Sequence, residues 1–410
     1  MERPRLRRAR EAAIDRISAL PDGVLEHILG FLPADKAVQT SVLARRWRHL
    51  WRYTRRLSII FSGRRRSADG FKKLMSGLLL LRNTAVALDE VEFSDTPLQK
   101  DDGTYINIWI RHVLSCQAKK LLIRSYIGAK LDGLPLISQH LQKLEFWCVG
   151  LGRNFLDFAS CPLLQVLEIT GGYILCERIL SQSIKHLTIK FTSFSCEVRT
   201  RISIPSLVLM KLDFYVGKTP LLHTMPLLQT ALVEPAFSAA EDYCDKGDSK
   251  ECCGICANCC GEDIHSSGSM LLGGLSSAMN LELIALRGTI IFRRDLRWCP
   301  TFHNLKTLFL NEWCVANGPG ALLCILEHSP VLEKLTLKLA KGPNHRREMD
   351  AVNNVMEKSS AISKHLKMVY VQCEVVDDRN GRLEEVMRHQ PASSAMSLQS
   401  DAVFGIVQNR

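Results

Sequence analysis

One pattern recurs along most of this chain: apolar-x-x-apolar-x-apolar. Its last two apolar positions are Val91/Phe93, Leu121/Ile123, Leu144/Phe146, Leu167/Ile169, Leu187/Ile189, Leu212/Phe214, Ile284/Leu286, Leu308/Leu310, Leu335/Leu337 and Val369/Val371. Successive units are 30, 23, 23, 20, 25, 72, 24, 27 and 34 residues apart, and a weaker unit at Leu228–Val233 divides the longest step. Alternation with a period of two marks a strand with one face in a core. A spacing of about 20–29 residues is that of one strand plus one connecting segment. A unit this small cannot bury its apolar face alone, so neighbours must stack. A loose all-parallel α/β sheet would also place strands at such intervals. A second device favours the solenoid: "CPLLQVLEI" (161–169), "MPLLQTALV" (225–233) and "SPVLEKLTL" (329–337) each set a proline just ahead of the strand. Proline ends the preceding segment and biases its predecessor to extended geometry. The expected fold is α/β, an irregular solenoid of parallel strands with helices or irregular segments between them.

Composition excludes several classes. The longest apolar run, "LMSGLLLL" at 74–81, stops at Arg82–Asn83, too short for a bilayer. It predicts a buried helix and no membrane partner. The N-terminus "MERPRLRRAREAAIDR" has no apolar signal-type core. Fifteen cysteines, an odd number, with no Asn-x-Ser/Thr sequon, predict mostly free thiols in an intracellular compartment, nuclear and/or cytoplasmic. The net charge of +11 is concentrated at one end: 16 basic and 6 acidic residues lie in the first 66. The remaining 37 basic and 36 acidic residues nearly balance. "RPRLRRAR" (3–10) and "RRR" (64–66) read as solvated tail and linker, with nuclear import or nucleic-acid contact as alternatives. No aromatics interleave with the first cluster, so nucleic acid is not an expected partner.

Ahead of the repeats, "LPDGVLEHILGFLP" (20–33) has more apolar surface than a short helix usually needs. On a helical wheel Val24, Leu25, Ile28, Leu29, Phe31 and Leu32 cover roughly 160°, against an ordinary stripe of about 100°. The surplus faces either the rest of the chain or another protein. In "ADKAVQTSVLARRWRHLW", Leu43, Trp47, Leu50 and Trp51 share one stripe of an expected second helix that Asp35 would cap. Together, residues 20–51 resemble an F-box of the plant type: the Leu-Pro opening, the helix ending in Leu-Pro and the "SVLARRWRHLW" close match in order and spacing. The resemblance implies docking to a Skp-family adaptor of a cullin-RING ubiquitin ligase. Carried over by position, it implicates Leu20, Pro21, Val24, Leu25, Ile28, Leu32, Val42, Leu43 and Trp47, with Arg46 and Trp51 beside them. Trp47 suits a core role equally well.

The repeats resemble those of plant F-box proteins with leucine-rich repeats, particularly a large grass group, in "FRRDLRWCPTFHNLKTLFLNEWCV" and "LLCILEHSPVLEKLTLKL". "HLKMVYVQCEVVDD" is similar to the start of their C-terminal FBD segment. The expected organisation is a basic arm at 1–13, the F-box at 14–54, a helical linker and cap at 55–86, and the solenoid at 87–378. Within the solenoid fall a Cys-rich insertion at about 238–270 and the FBD-like end at about 365–378. A divergent flexible tail follows at 379–410, in which "GRLEEVMRH" has helical character.

In the insertion, Cys244, Cys252, Cys253, Cys256, Cys259 and Cys260 precede His265. Cys253-x-x-Cys256-x-x-Cys259 has zinc-compatible spacing, but all these ligands come from one short loop, and a reduced-thiol loop is the expected reading. "YVGKTP" (215–220) lacks the first glycine of a phosphate loop, since Leu212 stands there. His186, His223 and His328 read as ordinary histidines. No catalytic residues, metal or cofactor are expected. The whole predicts a non-catalytic substrate-recognition subunit of an SCF-type ligase, with an adaptor on the F-box and an unknown substrate protein on the repeats. A repeat-based scaffold outside ubiquitin transfer is the alternative, followed by a basic nucleic-acid binder.

Overall fold

The computed structural model describes residues 17, 19–60, 68–94, 103–125, 130–133, 135–236, 269–285, 291–316, 318–340, 345–359, 365–376 and 382–389. All but two of the apolar pairs of the repeat lie on short strands with their side chains toward the core. Arg56–Ile60, Glu90–Ser94, Lys120–Arg124, Lys143–Trp147, Val166–Thr170, His186–Lys190, Leu209–Tyr215, Thr230–Pro235, Asn280–Leu283, Thr307–Asn311, Lys334–Ala340 and Met368–Val376 pair side by side in chain order, all parallel. Strand Arg382–His389 closes the 13-stranded sheet, antiparallel to its neighbour. The parallel pairing in chain order is that of a solenoid, each rung contacting the next.

The prolines set the rungs. Leu164 N–H donates to the Cys161 carbonyl (3.1 Å), Leu228 to Met225 (3.1 Å) and Leu332 to Ser329 (3.3 Å), each closing a turn that starts just before its proline. Leu164, Leu228 and Leu332 are buried beneath these turns.

Four expectations change. The buried pair of the seventh strand is Met210/Leu212, not Leu212/Phe214. A register shift after Asp213, with Phe214 at φ 51°, turns Phe214 out of the core. In "NLELI" the buried pair is Leu281/Leu283 rather than Ile284/Leu286, because Leu281 and Leu283 pair with Ala231 and Val233. Leu286 lies outside the described residues. The sheet begins before residue 87: Leu57 and Ile59, within the expected linker, pair with Val91 and Phe93. Finally, "GRLEEVMRH" contributes a strand, not a helix or a flexible tail, because Val371 and its neighbours offer an open edge to pair with. The basic arm at 1–13 and Cys244, Cys252, Cys253, Cys256, Cys259, Cys260 and His265 fall outside the described residues.

The back of the sheet varies along the solenoid. Near its ends, helices Ala68–Leu81, Gly103–Ser115, Gly320–Glu327 and His345–Ser359 cross over between strands. The run at 74–81 does lie in a helix, with Met75, Leu78 and Leu79 buried but Leu80 and Leu81 exposed. The central rungs are too short for helices. They carry two narrow parallel sheets instead, one from Lys130–Leu131, Gly150–Leu151, Tyr173–Ile174 and Ser193–Phe194, the other from Arg178–Leu180, Arg201–Ser203 and Leu221–Leu222. The chain enters the first of these through a left-handed residue at one repeated position, Cys148 (φ 53°), Gly171 (68°) and Phe191 (50°), and Phe214 (51°) repeats it ahead of Val216, which bridges to Ser193.

The N-terminal helices share one hydrophobic cluster with the solenoid, in which Leu25, Leu29, Trp47, Leu50 and Trp51 join Leu57 and Ile59. Pro33 bridges to Ser58 of the first strand. Arg82 reinforces the junction from below. Its guanidinium is buried, donates to the Thr54 carbonyl and lies 3.3 Å from Thr54 Oγ1. Burial pushes its pKa down to about 10. Arg82→Met would leave a buried carbonyl without its charged donor, and we expect a loss of about 1–3 kcal/mol. Denaturant unfolding checks this; an unchanged midpoint would remove Arg82 from the junction.

Candidate functional site

The first helix, Asp22–Leu29, spans two turns between prolines. Leu25 and Leu29, four apart, point into the core and are fully buried. Val24, Ile28 and Phe31 lie on the other side and are exposed. The wide apolar arc is therefore divided between an inner half that packs on this chain and an outer half that does not.

The second segment departs from the expected continuous helix. An α-helix Ala34–Gln39 gives way to short 3-10 pieces at Thr40–Val42, Arg45–Arg48 and Leu50–Tyr53. The break separates Leu43 from the tryptophans. Val42 is 86% exposed and Leu43 70%, while Trp47, Leu50 and Trp51 are buried. Asp35 sits in the first helical turn but caps nothing by its side chain; Pro33 occupies the cap position.

The eleven residues implicated by resemblance thus occupy four settings. Val24, Ile28, Val42 and Leu43 are exposed. Leu20 and Leu32 are partly buried against the core, and Pro21 is the cap residue ahead of the first helix. Leu25, Trp47 and Trp51 are core residues that support the surface from beneath. Arg46 is a clamp: its Nε donates to Asp22 Oδ1 (2.7 Å) and its Nη2 to the Leu20 carbonyl (2.6 Å), fastening the tryptophan segment to the helix start. Phe31, absent from that set, is exposed at the end of the helix, edge-on to His27 at 4.9 Å and under the Arg56 guanidinium at 4.8 Å. The wheel, which had placed Phe31 in the apolar arc, was its signal. Burial and the nearby Asp22 raise the Glu26 pKa on the same helix. The arrangement can bury apolar area against a partner.

A second surface lies at the strand ends of the solenoid. Phe191 (63% exposed) and Phe214 (46%) stack with centroids 5.5 Å apart and planes 19° from parallel. Two rungs away, Trp147 lies under the Arg124 guanidinium at 5.1 Å. Lys190 pairs with Asp213 at 3.3 Å beside the stacked rings. The sequence hid this surface, because Phe214 reads as a core position of the repeat.

Metal-type ligands gather elsewhere. Cys299, Cys324 and His328 bring one ligand atom each within 4.8 Å of the others. The residues given zinc spacing by sequence are not among those described. Cys116, Cys161, Cys176 and Cys314 in the core are free thiols, as are Cys148, Cys196, Cys299 and Cys324. No helix among the described residues is long and apolar enough to cross a membrane.

Comparison with known proteins agrees with this division. The F-box domain family matches residues 17–58. A putative F-box/LRR-repeat protein of Arabidopsis thaliana is 52% identical over 372 residues, covering 83% of this chain and 75% of its own length. The meiotic F-box protein MOF of Oryza sativa is 29% identical over 370 residues, covering 85% and 76% respectively. An F-box/FBD/LRR-repeat protein of Arabidopsis thaliana is 25% identical over 416 residues, covering 92% and 86%.

Proposed function

From the premise that this chain belongs to the F-box/leucine-rich-repeat proteins found in plants, we propose that it is the substrate-recognition subunit of an SCF-type ubiquitin ligase. The observation that carries the reading is the outer apolar surface of Val24, Ile28, Phe31, Val42 and Leu43, held on a packed inner face. A Skp-family adaptor covers this surface, and a cullin-RING core follows through the adaptor. The solenoid holds a substrate protein. The chain then acts by proximity, raising the effective concentration of substrate lysines near a charged conjugating enzyme. Hydrogen exchange with and without a plant Skp adaptor tests the docking face. Protection is expected in residues 22–31 and 40–43; protection confined to the repeats would contradict it.

The stacked phenylalanines support a substrate surface at the strand ends. A bulky residue in the left-handed region costs of order 1–3 kcal/mol, and the stacked pair recovers only about 0.5–1.5 kcal/mol. The fold sets the left-handed backbone at this repeated position, and the presence of bulky rings there in place of glycine is what a contact outside the chain explains. Phe191→Gly with Phe214→Gly is therefore expected to leave the unfolding midpoint unchanged or raised. A loss above about 2 kcal/mol would make the pair a structural element instead.

A further inference from the structure

We propose that Cys299, Cys324 and His328 form a binding site for a soft divalent cation of the zinc class. The three ligand atoms lie within 4.8 Å of one another, and all three residues are half-buried. Around zinc, ligands at about 2.3 Å for sulfur and 2.0–2.1 Å for nitrogen stand roughly 3.4–3.8 Å apart. The most separated pair must therefore close by up to about 1 Å on binding, a movement on the scale of side-chain rotation.

Two separate segments supply the ligands. Cys324 and His328 are four residues apart, on and at the end of helix Gly320–Glu327, and so share a face. His328 Nδ1 lies 4.0 Å from Cys324 Sγ. The same nitrogen lies 2.8 Å from the Cys324 carbonyl, a contact it would give up for the cation, with the ring proton then on Nε2. Cys299 comes from the turn after Leu296–Trp298. Asp295 anchors that turn: fully buried, it accepts the N–H groups of Met270, Leu271 and Leu272 at 2.9, 2.6 and 2.9 Å and the Ser269 hydroxyl at 2.6 Å. The first ligand is thus held on a rigid support, unlike residues of one short loop.

Three protein ligands leave one position on a tetrahedral cation. A cavity of about 320 Å³ opens beside Cys324, lined also by Leu296, Arg297, Trp313 and Ala321. Of the three ligands Cys324 alone lines it, and a water or a small donor would complete the tetrahedron. Two thiols and an imidazole select zinc, or cobalt(II) as its probe, over magnesium or calcium.

The test uses the full chain with Cys244, Cys252, Cys253, Cys256, Cys259 and Cys260 changed to Ser, so that the insertion binds nothing. Cobalt(II) titration is expected to give one ion per chain, with thiolate-to-cobalt charge transfer and tetrahedral d–d bands, and competition by zinc should bleach them. No such spectrum would overturn the site. On that background, Cys299→Ser with Cys324→Ser should abolish the bands while far-UV circular dichroism is unchanged; bands that persist would also overturn it. His328→Gln gives an independent reading should the double variant fail to fold. Zinc affinity should fall by roughly 10- to 100-fold, the scale on which even outer partners of ligands matter, and an unchanged affinity would contradict the site.

Discussion

Val42→Asp combined with Leu43→Asp is expected to abolish capture of a Skp-family adaptor while leaving the chain folded. These side chains are the most exposed of the apolar surface, at 86% and 70%, and their segment contributes no buried residue to the core. Each would place a carboxylate in a desolvated interface without a partner. Truncating an interface anchor alone costs about 2 kcal/mol or more; two buried charges should weaken binding by more than about 100-fold, since 1.4 kcal/mol is tenfold. Leu25→Ala makes the opposite pattern. Leu25 has no exposed surface, and a large-to-small change there costs about 2–5 kcal/mol of folding stability. Any adaptor defect in that variant would follow unfolding. Parallel pull-down and denaturant curves separate the two. Equal capture by wild type and the double aspartate variant would move the interface elsewhere.

Gly172→Ala is expected to be among the most damaging single substitutions in the solenoid. Gly172 has φ 80°, and a Cβ there would lie 2.1 Å from the Val149 carbonyl oxygen of the preceding rung. That oxygen accepts the Tyr173 N–H (3.2 Å) and so cannot swing aside without breaking the narrow second sheet. Left-handed backbone costs a non-glycine residue about 1–2 kcal/mol, and overpacking about 1–3 kcal/mol more. A loss of about 2–5 kcal/mol should appear as a lowered denaturant midpoint. Gly217 faces the same obstruction one repeat pair later, 2.1 Å from the Phe194 oxygen, and should behave alike. By contrast, the Gly133 site is sterically open, and alanine there meets only the cost of its own φ of 128°. A midpoint for Gly172→Ala within about 0.5 kcal/mol of wild type would show that the rungs can separate locally.

The solenoid was legible because buried pairs such as Leu144/Phe146 and Leu167/Ile169 must recur wherever parallel strands stack. The exact register was less so. "NLELI" offers two apolar pairs, and only pairing with Ala231 and Val233 selects Leu281 and Leu283. Leu57 and Ile59 are hidden in the sequence because Thr54 stands where the repeat has its first apolar residue. The N-terminal surface illustrates a different limit. A wheel assigns directions as though one helix ran from Leu43 to Trp51, but Ala44 is extended at φ −156°, ψ 159° and breaks it. That break puts Leu43 outside and Trp47 inside. Resemblance named both as docking residues, since a motif records which residues recur and not which of them support the others. Cys299 and Cys324, separated along the chain, became neighbours only through the fold.

Isothermal titration of the full-length chain with a purified plant Skp adaptor tests the central claim most directly. The account predicts a saturable one-to-one complex with a negative heat-capacity change, because the outer apolar surface leaves water on binding. Absence of binding by a chain whose circular dichroism and unfolding transition show it folded would contradict the ligase role, and leave a repeat scaffold whose Val42–Leu43 surface serves some other partner.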